Sequence, residues 1–258
     1  MKHTLKPMIA ISILLLASCT KESTMQQQNL LINSPSSKTS ITKSHDIKSN
    51  LVAYYSFSGN ANDVSGSGNN GIVYGATLTT DRTGAKNRAY SFNGISNYMD
   101  VTNKFFDNGW ENMTVSLWFN ATNDPIVGGG HTFLNTVPHN GLDIGVNFNG
   151  DNSIYVFKGS NPDNSGWDIL SYNNFNTIPA TDKWYHMTIV KAGYEYRYYL
   201  NGVHNKTVST PYLPVSYNCS IKIGSYAMYG DYFKGKLDEI RIYNRALTND
   251  QIAYLATQ

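Results

Sequence analysis

The sequence predicts an all-β fold: two antiparallel sheets packed as a sandwich, with one short helix at the C-terminal end. Three observations carry that prediction. The chain has 258 residues with 19 Tyr, 10 Phe and 21 Gly but only 15% charged residues, a balance that suits half-buried pleated surfaces joined by turns. From Leu51 onward, short runs with a period of two alternate with clusters of Gly, Asn and Asp; their spacing of about ten residues is that of sandwiches and barrels. The last run ends in a helix-start signal.

The elements follow in order. Leu51–Phe57 is the first strand, and the Gly/Asn-rich stretch Ser58–Gly71 a loop. Ile72–Leu78, Ala89–Phe92 and Tyr98–Val101 are the next strands. Met113–Phe119 alternates cleanly, with Val115, Leu117 and Phe119 on one face and Trp118 on the other. Trp184–Val190 and Tyr194–Leu200 form a hairpin through Lys191–Gly193, and Asn201-Gly202 is a turn dipeptide suited to positive φ. The strand-like stretch Cys219–Gly224 alternates Cys219, Ile221 and Ile223. In the final strand, Phe233–Leu247, strict alternation sends Leu237, Glu239, Arg241 and Tyr243 one way and Asp238, Ile240 and Ile242 the other. Thr248 and Gln251 then make a Thr-x-x-Gln capping box ahead of Ile252, Tyr254 and Leu255.

Domain organisation follows from composition. A body of about 200 residues buries roughly 70% of its unfolded surface, so neither metal nor disulfide is needed for it to fold. Residues 1–18 read as an export signal: Lys2 and Lys6 precede the apolar run Met8–Leu16, which is too short to span a bilayer. Leu16-Ala17-Ser18-Cys19 resembles a bacterial lipobox. That resemblance implies cleavage before Cys19, acylation of its thiol, and a lipid-anchored place in the bacterial cell envelope, at the outer membrane or cell surface. At about 0.8 kcal/mol per buried CH₂, two or more acyl chains anchor stably. Residues 19–50 are rich in Ser, Thr, Gln, Asn and Lys and read as a flexible tether. Residues 51–258 form the folded domain.

Charge and cysteine count narrow the function. Net charge is +2 overall, yet from Leu51 onward 14 Lys plus Arg face 16 Asp plus Glu. The body has no basic cluster, which argues against nucleic acid. The only other cysteine is Cys219, so an acylated Cys19 leaves it without a disulfide partner; it reads as a buried inert thiol.

Three segments in order resemble the laminin-G-like, concanavalin A-like jelly-roll family. They are Tyr55-x-Phe57-x-Gly59-Asn60-Ala61-x-Asp63-x-Ser65-Gly66; Trp184-Tyr185-His186-Met187 with Tyr199-Leu200-Asn201-Gly202-Val203; and Gly235-x-Leu237-Asp238-Glu239-x-Arg241-Ile242-Tyr243-Asn244-Arg245-Ala246-Leu247. The stretch from Asp124 to Pro179 matches least. The resemblance implies a two-sheet jelly roll and a binding role. It also implies a structural Ca²⁺ between the first loop and the last strand, held by Asp63, Asp238 and carbonyls around Gly71, an oxygen set of the kind the ion takes. The alternative is an Asx-turn at Asp63 and an arginine partner for Asp238.

Catalysis is disfavoured. The body has three glutamates, Glu111, Glu195 and Glu239, none spaced as the carboxylate pair of related jelly-roll glycosidases. An Asp163/Asp168 pair reads more naturally as solvated turn residues. His131 and His139 have no third zinc ligand at a recognisable spacing, and His186 reads as packing. Binding is better served. Trp167 lies in a polar Gly-containing stretch, and Tyr226, Tyr229 and Tyr232 precede the last strand. Such rings serve either as platforms for sugar or as lids over the core, while Trp110 reads as cover for a sandwich end. The expectation is a glycan-binding module without catalysis. The alternatives are a protein-binding adhesin or envelope scaffold and, more weakly, a glycoside hydrolase or polysaccharide lyase with an unfamiliar site.

Overall fold

The computed structural model describes residues 45–102, 110–122, 130–137, 142–147, 153–159, 167–171, 180–209, 220–226 and 230–258. In chain order the strands are β1 (Leu51–Tyr55), β2 (Ile72–Tyr74), β3 (Thr77–Thr79), β4 (Ala89–Asn93), β5 (Tyr98–Val101), β6 (Asn112–Ala121), β7 (Gly130–Val137), β8 (Leu142–Asn147) and β9 (Ser153–Gly159). They continue as β10 (Trp167–Ser171), β11 (Trp184–Ala192), β12 (Glu195–Leu200), β13 (Val203–Ser209), β14 (Ser220–Ile223), β15 (Ser225–Tyr226), β16 (Asp231–Tyr232) and β17 (Lys234–Tyr243), closed by helix α1 (Asn249–Leu255). The strands form an eight-stranded sheet in the order β13-β12-β11-β6-β17-β4-β3, with β1 on β17, and a seven-stranded sheet in the order β10-β9-β8-β7-β14-β5-β2. All strand pairs are antiparallel, and β15 and β16 make a separate small hairpin. The fold is the expected antiparallel sandwich.

Alternation builds the core. Val115, Leu117 and Phe119 of β6 point inward and meet Leu134, Ile144, Val156, Ile221 and Ile223 of the other sheet. Phe133 joins the sheets, its ring 4.6 Å from Phe119 and 5.0 Å from Phe233. A second cluster lies on the outside of the eight-stranded sheet, where Ile252 and Leu255 of α1 cover Val190, Tyr199 and Tyr243. The capping box is formed as expected: Gln251 N donates to Thr248 Oγ1 at 3.3 Å, and Thr248 N donates to Gln251 Oε1 at 3.0 Å.

Two expectations need correction. Strict alternation through the final strand fails because Glu239 adopts φ 54° and inserts a bulge between Asp238 and Arg241. The bulge keeps Leu237, Ile240 and Ile242 all in the core, while Asp238, Arg241 and Tyr243 serve the outer side. The packed body also begins before Leu51. His45 stacks on Tyr254 at 4.7 Å, Ile47 packs beside α1, and the Asp46 carbonyl accepts from Gln251 Nε2 at 2.6 Å. Ser44–Gln258 is one compact unit.

Candidate functional site

The outer face of the seven-stranded sheet carries the chemistry. On β2 and β5 the core takes Val73, Met99 and Val101, so Ile72, Tyr74, Tyr98 and Asp100 must face out. Tyr74 lies directly opposite Tyr98, and the rings stack at 4.6 Å with an interplanar angle of 14°. Tyr74 is 43% exposed, far more than a core tyrosine. From β14, Lys222 stands between the buried Ile221 and Ile223 and therefore also faces out. Its Nζ donates to Asp100 Oδ1 at 3.1 Å and sits 4.7 Å from the centre of the Tyr98 ring. An open aromatic surface is thus flanked by a fixed donor and a fixed acceptor.

The same row continues inward across the sheet as a polar floor. Asn135 of β7 is opposite Lys222 on one side and Asp143 of β8 on the other. The ring of Tyr155 lies over Gly145 and its hydroxyl meets Thr132 Oγ1 at 2.8 Å. A Cβ at Gly145 would come within 2.4 Å of the His131 carbonyl and 2.5 Å of the Tyr155 hydroxyl, so glycine is required there. Hairpin β15–β16 packs on β7, anchored where Gly224 N donates to the Phe133 carbonyl at 2.9 Å. Burial pushes the Asp143 carboxyl up to about 8, against the favourable influence of Thr132 and Asn135, and the charge of Asp231 adds to the rise. Burial alone lifts Asp231 to about 6. Among the described residues, no hydrogen bond of good geometry reaches Asp143 Oδ1, either end of the Asn135 amide, or Ser225 Oγ.

Of the rings singled out from the sequence for binding, the described ones lie on strands of this sheet or of its small hairpin. Trp167 opens edge strand β10, paired with Gly159, rather than standing in a loop. Tyr226 is buried in β15 and offers no open ring. Tyr232 is half-buried opposite Ser225. Tyr229, Cys19, Cys219, His139 and Asp163 lie outside the described residues. Trp110 packs against the core, as expected.

Asp63, Gly71 and Asp238 do not fit the implied calcium ion. Asp63 Oδ1 accepts from Tyr54 N at 2.9 Å and Ser65 N at 2.8 Å, while Oδ2 accepts from Asn69 N at 3.0 Å and Ser65 Oγ at 2.9 Å. Those four donors fill the carboxylate's four lone-pair sites. The Gly71 amide closes the same loop onto the Ala61 carbonyl at 2.9 Å. Asp238 is buried and ion-paired to Arg82, whose positive charge opposes a second cation. Asp63 is therefore a loop clamp. Asp63→Ala is expected to lower stability by about 1–3 kcal/mol, since it strands donors in a partly buried loop. The loss in a urea titration should be equal with calcium and with chelator; a loss seen only with calcium would restore the ion to this loop.

The outer side of the eight-stranded sheet holds a different network, missed from the sequence because its members are far apart in the chain. Asp238, Trp118 and His186 stand opposite one another across β17, β6 and β11. Arg82 lies over Trp118 at 5.0 Å and contacts both Asp238 and the Gln258 carbonyl. His186 Nε2 and Ser116 Oγ are 2.8 Å apart. Burial, aided by Arg241 and Arg82, pushes the His186 imidazole down to about 3, so it is neutral and structural. Next to it Arg241 pairs with Glu239 and lies 4.0 Å over the Tyr54 ring.

Sequence and structure comparisons agree with this architecture. The family model described as the concanavalin A-like lectin/glucanases superfamily matches residues 93–253, more than half of the chain. The chain belongs to that superfamily. Among solved structures, this lectin/glucanase-fold chain is similar to domain 4 of a GH43 extracellular arabinanase from Geobacillus stearothermophilus, solved in complex with arabinotriose. Identity is 24% and the TM-score 0.63, over 80% of this chain and 98% of that one. It is also similar to the binding domain of botulinum neurotoxin DC, solved in one case with sialyl-T (17% identity, TM-score 0.60, 82% of this chain and 51% of that). In another case that domain was solved with rat synaptotagmin II (17%, TM-score 0.59, 82% and 52%). The chain spans about half the length of those neurotoxin domains. No curated protein sequence matches it.

Proposed function

We propose that this chain is a lipid-anchored, non-catalytic module that binds glycan at the bacterial cell surface. The observation that carries the reading is the exposed Tyr74 ring, stacked on Tyr98 and bordered by the Lys222–Asp100 pair. A sugar ring offers an apolar face to an aromatic and hydroxyls to a neighbouring donor and acceptor, and this surface supplies all three. The fold neighbours solved with arabinotriose and sialyl-T support the reading at the level of the fold. Cys19 is the proposed acylation site; Cys19→Ala is expected to release the protein from the membrane fraction.

The test is to present the full chain to arrays of plant, microbial and host oligosaccharides and to titrate whichever is retained. Tyr74→Ala should weaken binding about tenfold, the equivalent of 1.4 kcal/mol. A surface change of this kind leaves stability within about 0.5 kcal/mol. Unaltered affinity in Tyr74→Ala would refute the platform. A protein ligand is the second reading, and one observation favours it: Ile72, 48% exposed, extends the Tyr74 surface with apolar area that a sugar does not need. The neurotoxin domain solved with synaptotagmin is the corresponding fold neighbour. Retention of no glycan on any array would turn the search to protein.

A further inference from the structure

The polar floor under hairpin β15–β16 has unmet chemistry of one kind. Asn135 is 0% exposed; its side chain lies near enough to Asp143 to favour the charged carboxyl, yet among the described residues neither its Oδ1 nor its Nδ2 makes a hydrogen bond of good geometry. Ser225 is likewise 0% exposed with its Oγ unpartnered. Asp143, 5% exposed, has an unpartnered Oδ1. Each such group, buried without a partner, costs about 1–3 kcal/mol, and a carboxylate more. Three of them side by side call for something to bind.

The groups are brought together by register. Asn135 and Asp143 are directly opposite across β7 and β8, so their side chains share the outer face. The β14–β7 ladder runs from Ile223 opposite Leu134 to the bond from Gly224 to Phe133, which sets Ser225 alongside Thr132. Thr132 in turn lies close to Asp143 and Tyr155. Asp231, opposite Tyr226 in the hairpin, is near enough to act on the charge of both Asp143 and Tyr155. Among the described residues, no lysine or arginine is named as acting on either carboxyl; Lys222, in the same row, turns to Asp100.

We infer that Asp143, Asp231, Asn135 and Ser225 form a site for a hard divalent cation of the calcium class, which ties hairpin β15–β16 to the seven-stranded sheet. The donor set is all oxygen: two carboxylates, one amide carbonyl and one hydroxyl. Ca²⁺ accepts six to eight such ligands in irregular geometry and completes its shell with water, whereas Mg²⁺ demands near-octahedral order. The set has no sulfur and no imidazole, which disfavours zinc. Among the described residues no three His, Cys, Asp or Glu side chains converge on a metal position; here two neutral oxygens stand in for the third acid. The amide oxygen and nitrogen of Asn135 exchange by a flip, so the carbonyl is free to turn to the ion.

The site is independent of the Tyr74 platform, so the cation and the glycan stand or fall separately. Calcium is titrated calorimetrically into the full, chelator-stripped chain at pH 7.5, with magnesium as comparator and bound metal counted by mass spectrometry. One calcium per chain is expected, bound at least tenfold more tightly than magnesium. Asp143→Asn and, on the hairpin, Asp231→Asn should each weaken it at least thirtyfold. Asn135→Asp, which adds a third carboxylate, should tighten it. Tyr74→Ala should leave it unchanged. No bound calcium at millimolar concentration overturns the inference. So does calcium that survives both aspartate substitutions, or calcium lost in Asp63→Asn instead. Because Asn135→Asp keeps the side-chain volume and predicts a gain, misfolding cannot imitate the result.

Discussion

Replacing Arg82 with Met should destabilise the protein by about 3–5 kcal/mol, because it leaves the buried Asp238 carboxylate without its counter-ion. For a domain of this size that corresponds to a fall in Tm on the order of 10 °C. The same change removes the cation over Trp118 and the donor to the Gln258 carbonyl. Burial already pushes Asp238 up to about 7 despite the arginine beside it, and losing that partner raises it further. A carboxyl raised in the folded state contributes stability that is lost as pH climbs through the folded value. The Arg82→Met protein should therefore be weaker at pH 8 than at pH 6. Adding Asp238→Asn should recover most of the loss and flatten that pH dependence. If thermal melts show the double variant no better than the single one, the ion pair is not what holds this part of the sheet.

His186 gives the second large effect, with the opposite sign. The folded protein keeps the ring neutral down to about pH 3, chiefly because it is buried, with Arg241 and Arg82 adding to the effect. The unfolded chain takes up the proton near the ordinary 6.5. Between those values only the unfolded state binds the proton. Stability present above about 6.5 is therefore lost as pH falls, at about 1.4 kcal/mol per unit. His186→Gln removes that linkage. Relative to wild type, the variant should gain about 2.5 kcal/mol between pH 6.5 and 4.5 in urea titrations. Parallel pH profiles for the two proteins would show that the imidazole is not held neutral.

These effects arise from pairings that local sequence patterns do not express. Trp118 opposite the core residues of β6, the capping box of Thr248 and Gln251, and the inward Ile221 and Ile223 were legible because each depends only on neighbours in the chain. The bulge at Glu239 was not: a non-glycine residue at positive φ breaks the period from within, and the residue types on either side give no sign of it. Tyr74 and Tyr98 each sit in a short strand, and their stacking depends on which strand pairs with which. Asp143 and Asp231 lie on strands far apart in sequence, and it is the packing on β7 of a hairpin made of two two-residue strands that brings Asp231 towards the sheet. Tyr226 stands just before the last strand, where its residue type and position suit an open ring, yet its own short strand β15 packs on β7 and the ring is buried.

Ligand recognition is proposed for the outer face of the seven-stranded sheet, and one measurement tests it directly. Hydrogen–deuterium exchange of the full chain, with and without the oligosaccharide that an array selects, locates the footprint. Protection confined to β2, β5 and β14, and absent in Tyr74→Ala, is the predicted result. Protection over α1 and the Trp118–His186 face of the eight-stranded sheet, with β2 and β5 unchanged, would contradict it.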